Sequence, residues 1–258
     1  MTWPPSDSSA GPIGVLGAMP EEIEHLVEAM QIASTDTLAG RTYHLGSLAG
    51  RRIVLAQCRV GKAAASVSST HLLTRFGASS LVFTGVAGGV APEVRVGDVI
   101  VGSELAQHDM DASPLFPPME IPLTGQTWFR ADPAISAALA AGGKGWAAEG
   151  RPGLDRADHF EGACVREGRI ISGDRFVSSA EEVRTLADRI PKALAVEMEG
   201  AAVAQVCTEH GVPFGVVRII SDTADDHAAD HFTESLGAFA GIASLEILTR
   251  ALSGPTAG

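Results

Sequence analysis

Acidic residues stand within five residues of the ends of three apolar runs in the chain. These acids and the runs before them are Glu22 after "IGVLG" (13–17), Glu199 after "LAVE" (194–197) and Asp222 after "PFGVVRII" (213–220). A single acid in such a place can be structural, because a carboxylate near a helix N-terminus is stabilised by about 0.3–1 kcal/mol. Several acids held together raise one another's pKa. A carboxyl group with a raised pKa can act as a general acid at neutral pH.

Strand-like runs alternate with helical patterns along the chain. Apolar runs bounded by Gly or polar residues predict strands at 13–17, 52–57, 80–85, 97–103, 168–172, 194–197 and 213–220. Most of these runs are continuous, which is typical of strands covered on both faces of a sheet. Apolar periodicity and terminal glycines predict helices at 20–30, 61–77 and 199–211. The alternation favours a layered α/β domain, in which ligands bind beyond the carboxyl ends of strands.

Four segments do not join this alternation. Residues 107–129 are rich in proline and apolar residues, which indicates an ordered loop at an active-site wall or a subunit contact. Residues 142–167 are Gly-rich and polar, and the sequence assigns them no element. Residues 1–12 lack the basic start and apolar run of a signal peptide, so we expect a disordered leader there. With a tail at 253–258, the expectation is one domain over residues 13–252.

Composition excludes several classes of function. The 258-residue chain has a net charge of −12, only 19 Lys+Arg and no basic run. It therefore lacks the positive surface that would bind nucleic acid or an anionic membrane. Cys58, Cys164 and Cys207 are far apart and predict buried, small apolar residues in a reducing compartment. No apolar stretch approaches the roughly 20 residues that span a bilayer, and a soluble cytoplasmic protein is expected.

The sequence contains no strong cofactor or metal motif. The glycines of "GVAGG" (85–89) lack the Lys-Ser/Thr of a P-loop and the spacing of a dinucleotide fingerprint. We interpret them as residues that let the backbone approach a flat ligand or a sugar closely. His108, Asp109 and Asp111 could bind a metal, but no second histidine cluster supports one. The pair His227 and His231 is interpreted as part of a solvent-exposed face.

Five blocks of sequence follow one another in a familiar order. They are "IGVLGAMPEEIEHL", "TGVAGGVAPEVRVGDVIVGSELAQHDMD", "SGDRFVSS", "AVEMEGAAVAQVC" and "VPFGVVRIISDTAD". Together they resemble the 5′-methylthioadenosine/S-adenosylhomocysteine nucleosidases of the purine nucleoside phosphorylase and hydrolase superfamily. The resemblance implies a three-layer α/β fold with a central mixed, partly barrel-like sheet flanked by helices. It also implies a homodimer that uses no metal or organic cofactor.

The resemblance implies catalytic roles for two of the acids. Glu22 would activate the attacking water, and Asp222, oriented by Ser221, would protonate N7 of the departing adenine. Such an acid and base work from opposite faces of the sugar, as in an inverting glycosidase, where the carboxyl groups are about 6.5–9.5 Å apart. We expect a gap of that order between Glu22 and Asp222. Asp225 and Asp226 are interpreted as an ordinary solvated helix start.

The resemblance also implies a binding site for the nucleoside. Phe176 would stack on the purine, and the backbone of Val177 would read the edge of the base. The ribose would contact Met198 and Glu199, with Glu199 holding the sugar hydroxyls. The sugar side of the site would be lined by Ala87 and Gly88.

Alternative functions remain open from the sequence. A phosphorylase needs Arg at the first strand exit to bind phosphate, whereas this exit carries Glu21 and Glu22, which suits hydrolysis. Val86 replaces the Ser or Thr of many relatives, and residues 112–119 lack their aromatic pattern, so the 5′ substituent is open. Methylthioadenosine, adenosylhomocysteine and 5′-deoxyadenosine are the expected substrates. The alternatives are a futalosine or aminodeoxyfutalosine hydrolase, a phosphorylase, and a non-catalytic nucleoside-binding module.

Overall fold

The structure, a computed structural model, describes residues 11–154, 160, 162–222 and 239–254. Its strands are β1 (Ile13–Gly17), β2 (Gln31–Leu38), β3 (Arg41–Leu48), β4 (Arg51–Gln57), β5 (Ser80–Gly89), β6 (Val99–Gln107), β7 (Phe129–Arg130), β8 (Val165–Ser172), β9 (Ala193–Glu197) and β10 (Phe214–Asp222). The helices of the described residues are α1 (Pro20–Ala29), α2 (Lys62–Thr74), α3 (Pro133–Ala148), α4 (Ala180–Arg189), α5 (Gly200–His210) and α6 (Gly241–Ser253).

All the described strands join one mixed sheet. Its order is β10-β6-β8-β9-β5-β1-β4-β3-β2, with β7 paired to β6. Because β10 also pairs with β5, the strands β5, β10, β6, β8 and β9 close into a barrel. The other strands extend from β5 as an open arm. This confirms the mixed, partly barrel-like sheet that the sequence resemblance implies.

The carboxyl ends of two groups of parallel strands meet at one place. Strands β4, β1, β5 and β10 run parallel to one another, and β6, β8 and β9 form a second parallel group. The groups join at two antiparallel contacts, β10 with β6 and β5 with β9, and in the second Gly88 lies opposite Val196 and Gly89 opposite Ala195. These paired residues lie at or near the carboxyl ends of both strands. The segments that leave both groups are therefore brought together.

Helices cover the sheet in two packed groups. Helix α2 packs on α5, whereas α1 and α3 both pack on α6. On β5, Leu81 and Phe83 join the core that contains α2 and α5, and Val82 joins the core that contains α1, α3 and α6. Neighbouring residues of a strand point to opposite faces. Both faces of β5 are therefore buried, which explains its continuous apolar run.

The strands and helices predicted from apolar patterns are confirmed, with boundaries shifted by a few residues. The strands are β1, β4, β5, β6, β8, β9 and β10, and the helices are α1, α2 and α5. The hairpin of β2 and β3 gave a weak signal because most of the side chains of β2 are exposed and polar. Between Gln107 and Phe129 the chain forms turns and an isolated bridge, which agrees with the predicted loop.

Part of the Gly-rich segment 142–167 is helical. Helix α3 begins after Asp132, whose side chain accepts hydrogen bonds from Ala134 N and Ile135 N, and it continues through Gly142. A Cβ on Gly142 would lie 2.4 Å from the carbonyl oxygen of Ile247 in α6. Glycine is used here because it lets the two helices approach closely. Glycine lowers the intrinsic stability of a helix by about 1 kcal/mol relative to alanine, so the sequence pattern did not predict a helix at these glycines.

The prediction that all three cysteines are buried is wrong for Cys164. Cys58 and Cys207 are buried, but Cys164 is exposed, and all three are free thiols. Cys164 lies just before β8, where its N–H donates to Asp98 Oδ1 at 2.6 Å and its side chain points outward. None of the described helices is long and apolar enough to cross a membrane. Of the predicted leader and tail, residues 1–10 and 255–258 lie outside the described residues.

Candidate active site

An open cavity lies at the carboxyl ends of the strands. It contains every residue predicted from the sequence to bind or transform a ligand, except Ser221. Its lining is Ala18, Met19, Glu22, Val60, Val86, Ala87, Gly88, Arg175, Phe176, Val177, Val196, Glu197, Met198, Glu199 and Asp222. The residues come from the ends of β5, β9 and β10, from the first turn of α1 and from the segments that follow β1, β4, β8 and β9. Six stretches of sequence between Ala18 and Asp222 thus form one site.

Glu22 is held rigidly in the first turn of α1. Its Oε2 accepts hydrogen bonds from Ala18 N at 2.6 Å and Met19 N at 2.9 Å, and its Oε1 accepts one from Val86 N at 2.9 Å. The side chain is only 3 % exposed. Burial raises the pKa of Glu22, although the nearby Arg218 guanidinium and the three N–H groups oppose the rise. A buried carboxyl group with a raised pKa is suited to taking a proton from water near neutral pH.

The close approach of β5 to Glu22 depends on Gly85. Gly85 has a φ of +148°, a conformation that residues with a side chain rarely adopt. A Cβ at this position would lie 2.3 Å from Glu22 Oε1 and 2.7 Å from Arg218 Nη1. The absence of a side chain at Gly85 therefore leaves room beside the strand for both the Glu22 carboxyl group and the Arg218 guanidinium group.

Glu197 is a buried acid of the site that the sequence interpretation missed. Its Oε2 accepts hydrogen bonds from Arg218 Nη2 at 2.5 Å and Gly200 N at 2.7 Å, and its Oε1 accepts one from Ser172 Oγ. Glu199 N also donates to Oε2, at 3.1 Å. Glu197 thus anchors the first turn of α5 and with it the segment that carries Glu199. The sequence signal for Glu197 was the pair of glutamates in "VEMEG". The sequence interpretation assigned a role only to the second glutamate, Glu199.

Glu199 lies between the start of α2 and Arg218. Its Oε1 accepts a hydrogen bond from Gly61 N at 2.8 Å, and its Oε2 lies 3.9 Å from Arg218 Nη2. Burial, and then the neighbouring charge of Glu197, raise the pKa of Glu199 to about 8. The predicted gathering of acids with a raised pKa is thus found at Glu22 and Glu199, with burial as the main cause.

Arg218 supplies the positive charge beneath these acids. It is 1 % exposed, pairs with Glu197, and its guanidinium carbon lies 3.9 Å from the centre of the Phe83 ring. Among the described residues, its Nε and Nη1 atoms have no hydrogen-bond partner. One guanidinium group thus faces three buried glutamates, so negative groups outnumber positive ones in the cluster unless two of the carboxyl groups are protonated.

Asp222 closes the site from the end of β10. It is 2 % exposed and lines the cavity. Ser221 Oγ lies 2.6 Å from Asp222 Oδ2 and 3.3 Å from the carbonyl oxygen of Ala87, and it makes a hydrogen bond with each. Ser221 does not line the cavity but contacts the acid from behind. Asp225 and Asp226, as well as His227 and His231, lie outside the described residues.

The remaining predicted binding residues surround the same cavity. Ala87 and Gly88 end β5, and Met198 connects β9 to α5. Val177 is buried, whereas Phe176 is 38 % exposed at the mouth. This exposed aromatic side chain beside an aliphatic wall offers one face to a planar ligand.

The two carboxylates among the candidate metal ligands, Asp109 and Asp111, are engaged in other contacts. Asp109 Oδ1 accepts a hydrogen bond from Lys62 Nζ at 2.6 Å, and Asp111 Oδ1 accepts one from Ser113 N at 2.9 Å. Within the part of the chain that the structure describes, no group of three or more His, Cys, Asp and Glu side chains could hold a metal ion.

Comparison with known proteins identifies the class of protein that combines this fold and site. The model of the phosphorylase superfamily matches residues 12–251. A 5′-methylthioadenosine/S-adenosylhomocysteine nucleosidase of Shewanella sediminis is 34 % identical over 224 residues, which cover 87 % of this chain and 91 % of the relative. The relative of the same name in Actinobacillus succinogenes is also 34 % identical, over 87 % of this chain and 91 % of its own.

Solved structures agree with the sequence relatives. The nucleosidase of Neisseria meningitidis, in complex with methylthio-immucillin-A, is 34 % identical and covers 94 % of this chain and 99 % of its own, with a TM-score of 0.83. A futalosine hydrolase of Helicobacter pylori is 33 % identical, covers 95 % of this chain and 99 % of its own, and has a TM-score of 0.81. The chain belongs to the phosphorylase superfamily and, within it, to the family of 5′-methylthioadenosine/S-adenosylhomocysteine nucleosidases.

Proposed function

We propose that this protein hydrolyses the N-ribosidic bond of 5′-methylthioadenosine and S-adenosylhomocysteine and releases adenine with the corresponding 5-thioribose. The main support for this proposal is that Glu22, Glu199 and Asp222 line one cavity together with the exposed aromatic side chain of Phe176. Relatives at 34 % identity bear the name of this activity. 5′-Deoxyadenosine has the same base and no substituent on its 5′ carbon, and it is proposed as a further substrate.

Asp222 is proposed as the acid that protonates N7 of the departing adenine. Breaking the N-ribosidic bond leaves negative charge on the base, and protonation neutralises it. The contact between Ser221 Oγ and Asp222 Oδ2 supports this role because it fixes the orientation of the carboxyl group. Ser221 also contacts the carbonyl oxygen of Ala87, which fixes the hydroxyl group in turn.

Glu22 is proposed as the base that takes a proton from the attacking water. The three backbone N–H groups that hold its carboxylate leave it little freedom to move, so its position relative to the sugar is set before substrate binds. Glu199 is proposed to hold the ribose hydroxyls. An ionised Glu199 would stabilise the positive charge that develops on the sugar in the transition state, and with a pKa of about 8 this form becomes dominant only above neutral pH.

The charge of the cavity favours water over phosphate as the attacking group. Among the described residues that line it, Arg175 is the only cation, and its Nη2 is paired with Glu182 Oε1 at 2.5 Å. The lining also includes four acids, and those that are ionised would repel a phosphate dianion. A phosphorylase would need the opposite balance of charge.

The futalosine hydrolase of Helicobacter pylori supports a second candidate function, hydrolysis of futalosine-type nucleosides, because it resembles this chain about as closely as the nucleosidases do. One experiment separates the candidates. Purified protein is supplied with methylthioadenosine, adenosylhomocysteine, 5′-deoxyadenosine, inosine or aminodeoxyfutalosine, and release of the free base is measured by chromatography with and without phosphate.

We expect adenine release from the first three nucleosides at the same rate with and without phosphate. Release that requires phosphate would indicate a phosphorylase. A clear preference for aminodeoxyfutalosine would indicate the second candidate. Absence of base release from every nucleoside, together with measurable nucleoside binding, would indicate the non-catalytic module.

The protein is further proposed to act as a cytoplasmic homodimer, with residues 13–252 as one domain. Leu115 and Leu123 support the dimer, because they are 83 % and 90 % exposed in the segment 107–129, which the sequence nominates as a subunit contact. Three free thiols support a reducing compartment. Light scattering of the purified protein tests the dimer, and Leu115→Ser with Leu123→Ser is expected to weaken it.

A further inference from the structure

The segment that carries Phe176 and Val177 has no regular structure of its own. It connects β8, which ends at Ser172, to α4, which begins at Ala180, and contains neither helix nor strand. Both side chains line the cavity. Their position therefore depends on the contacts that other parts of the chain make with this segment.

A cation and two carboxylates connect the segment to two distant parts of the fold. Lys62 Nζ donates to Asp109 Oδ1 at 2.6 Å and lies 3.8 Å from Asp174 Oδ2. Lys62 N donates to Asp174 Oδ1 at 2.8 Å, and Asp174 N donates to Asp109 Oδ2 at 2.9 Å. Three residues that are far apart in sequence thus form a closed network. We call Lys62, Asp109 and Asp174 the clamp.

The clamp also reaches the proposed ribose site. Lys62 is the first residue of α2, and the N–H of the preceding residue, Gly61, donates to Glu199 Oε1 at 2.8 Å. The same end of α2 therefore holds Asp174, two residues before Phe176, and Glu199. On the other side, Gly173 N donates to the carbonyl oxygen of Glu197 at 3.1 Å.

The charges of the clamp make the lysine necessary. The side chain of Lys62 is 14 % exposed, and it separates two carboxylates that would otherwise face each other. Burial opposes ionisation of Asp109, but the hydrogen bonds from Lys62 and from Asp174 N outweigh it and lower the pKa of Asp109. Without the ammonium group, like charges would push Asp174 and its segment away from Asp109.

We propose that Lys62, Asp109 and Asp174 are positioning residues that hold the Phe176–Val177 segment against the purine and align it with Glu199. None of the three lines the cavity. The inference rests on the proposed function, because the ligand that the segment contacts is the nucleoside. Loss of the clamp weakens binding of the base more than it slows the chemical step.

The test compares Lys62→Met, Lys62→Arg and Asp174→Asn with the wild type in hydrolysis of methylthioadenosine and in binding of free adenine. We expect Lys62→Met to raise KM and the adenine Kd by about tenfold, with a smaller change in kcat, because a charge-assisted contact of the segment is lost. Lys62→Arg keeps the charge and restores most of the affinity. Asp174→Asn has an effect in the same direction of at least about threefold, since one of two carboxylates remains.

Arg75→Met is the matched control. It removes another cationic side chain near α2, whose partner Asp36 lies 3.3 Å away at the surface, and it should leave KM and Kd unchanged. Hydrogen exchange provides a readout that does not use turnover: Lys62→Met should speed exchange of the peptide over residues 173–177. If Lys62→Met does not fold, Asp174→Asn and Lys62→Arg carry the test.

The inference would be overturned if Lys62→Met kept KM and the adenine Kd within twofold of the wild type. If Lys62→Met does not fold, the same criterion applies to Asp174→Asn. Either result would leave the proposed function intact. An equal loss in Lys62→Arg and Lys62→Met would also overturn the inference. A wild-type protein that releases no base from any nucleoside would overturn the proposed function itself, and the inference with it.

Discussion

Nη2 of Arg218 lies 2.5 Å from Oε2 of Glu197, and both side chains are almost completely buried. Together they form an ion pair with no net charge beside the buried acids Glu22 and Glu199. Glu197 also accepts the N–H groups that begin α5. This pair therefore joins β9, β10 and α5 beneath the cavity.

Removal of one partner of this pair should be strongly destabilising. We expect Glu197→Gln to lower the free energy of unfolding by up to about 3–5 kcal/mol, because it removes the carboxylate in direct contact with the buried Arg218 guanidinium and leaves only the more distant Glu199 and Glu22 as countercharges. Urea unfolding measures the change. Glu104→Gln is the control: Glu104 pairs with Arg130 and Arg169 at distances of 3.3 and 3.1 Å on a partly exposed strand, and its loss should cost less than about 1 kcal/mol. Equal losses in the two variants would contradict this account.

The two proposed catalytic acids should be nearly essential. We expect Glu22→Gln and Asp222→Asn each to reduce kcat by roughly 10²–10⁴-fold, because each removes a positioned proton acceptor or donor. Steady-state assays with methylthioadenosine measure the loss, and circular dichroism checks the fold. Glu24→Gln, an exposed acid on the same helix as Glu22, should keep wild-type activity. Near-normal turnover by Asp222→Asn would show that the acid has been assigned wrongly.

Gly85→Ala should disrupt the site directly. The added Cβ would lie 2.3 Å from Glu22 Oε1 and would force the carboxyl group out of its hydrogen bonds. We expect activity to fall by at least about 100-fold, because displacement of a reacting group by about 1 Å has that effect. Gly50→Ala is the control: Gly50 also has a positive φ, of +73°, but nothing lies within 4 Å of its Cβ position. It should cost about 1 kcal/mol in stability and leave activity unchanged. Full activity in Gly85→Ala would contradict the proposed contact.

The raised pKa of Glu199 predicts a pH-dependent stability. Between its ordinary value of 4.5 and the folded value of about 8, the folded protein keeps a proton that the unfolded chain loses. This contribution to stability is therefore complete below pH 4.5 and is lost as the pH rises towards 8. Glu199→Gln removes the titrating group. We expect wild-type stability to fall relative to this variant by up to about 1.4 kcal/mol per pH unit in that window. Parallel pH profiles in urea unfolding would refute the prediction.

Local patterns were sufficient for much of the fold. Continuous apolar runs predicted β1, β5 and β10 because strands buried on both faces need no polar alternation. The same reasoning failed for β2, whose mostly exposed, polar side chains are held in the sheet by pairing with β3. It also failed for α3, where Gly142 is unfavourable locally but is required by close packing against α6. Pairing with the next strand of a hairpin decides the first element, and a contact distant in sequence decides the second.

The sequence by itself determined the family and the acids that stand at strand exits, because residue types and their order are local properties. It nominated Glu22, Glu199 and Asp222, and the structure brings all three to one cavity, while their roles remain predictions. Only the tertiary structure decided what surrounds them. Strand pairing and helix packing bring Arg218 to Glu197, Gly85 to Glu22 and Lys62 to Asp109 and Asp174. Charge, burial and pKa depend on such neighbours, and neighbours distant in sequence exist only once the chain has folded.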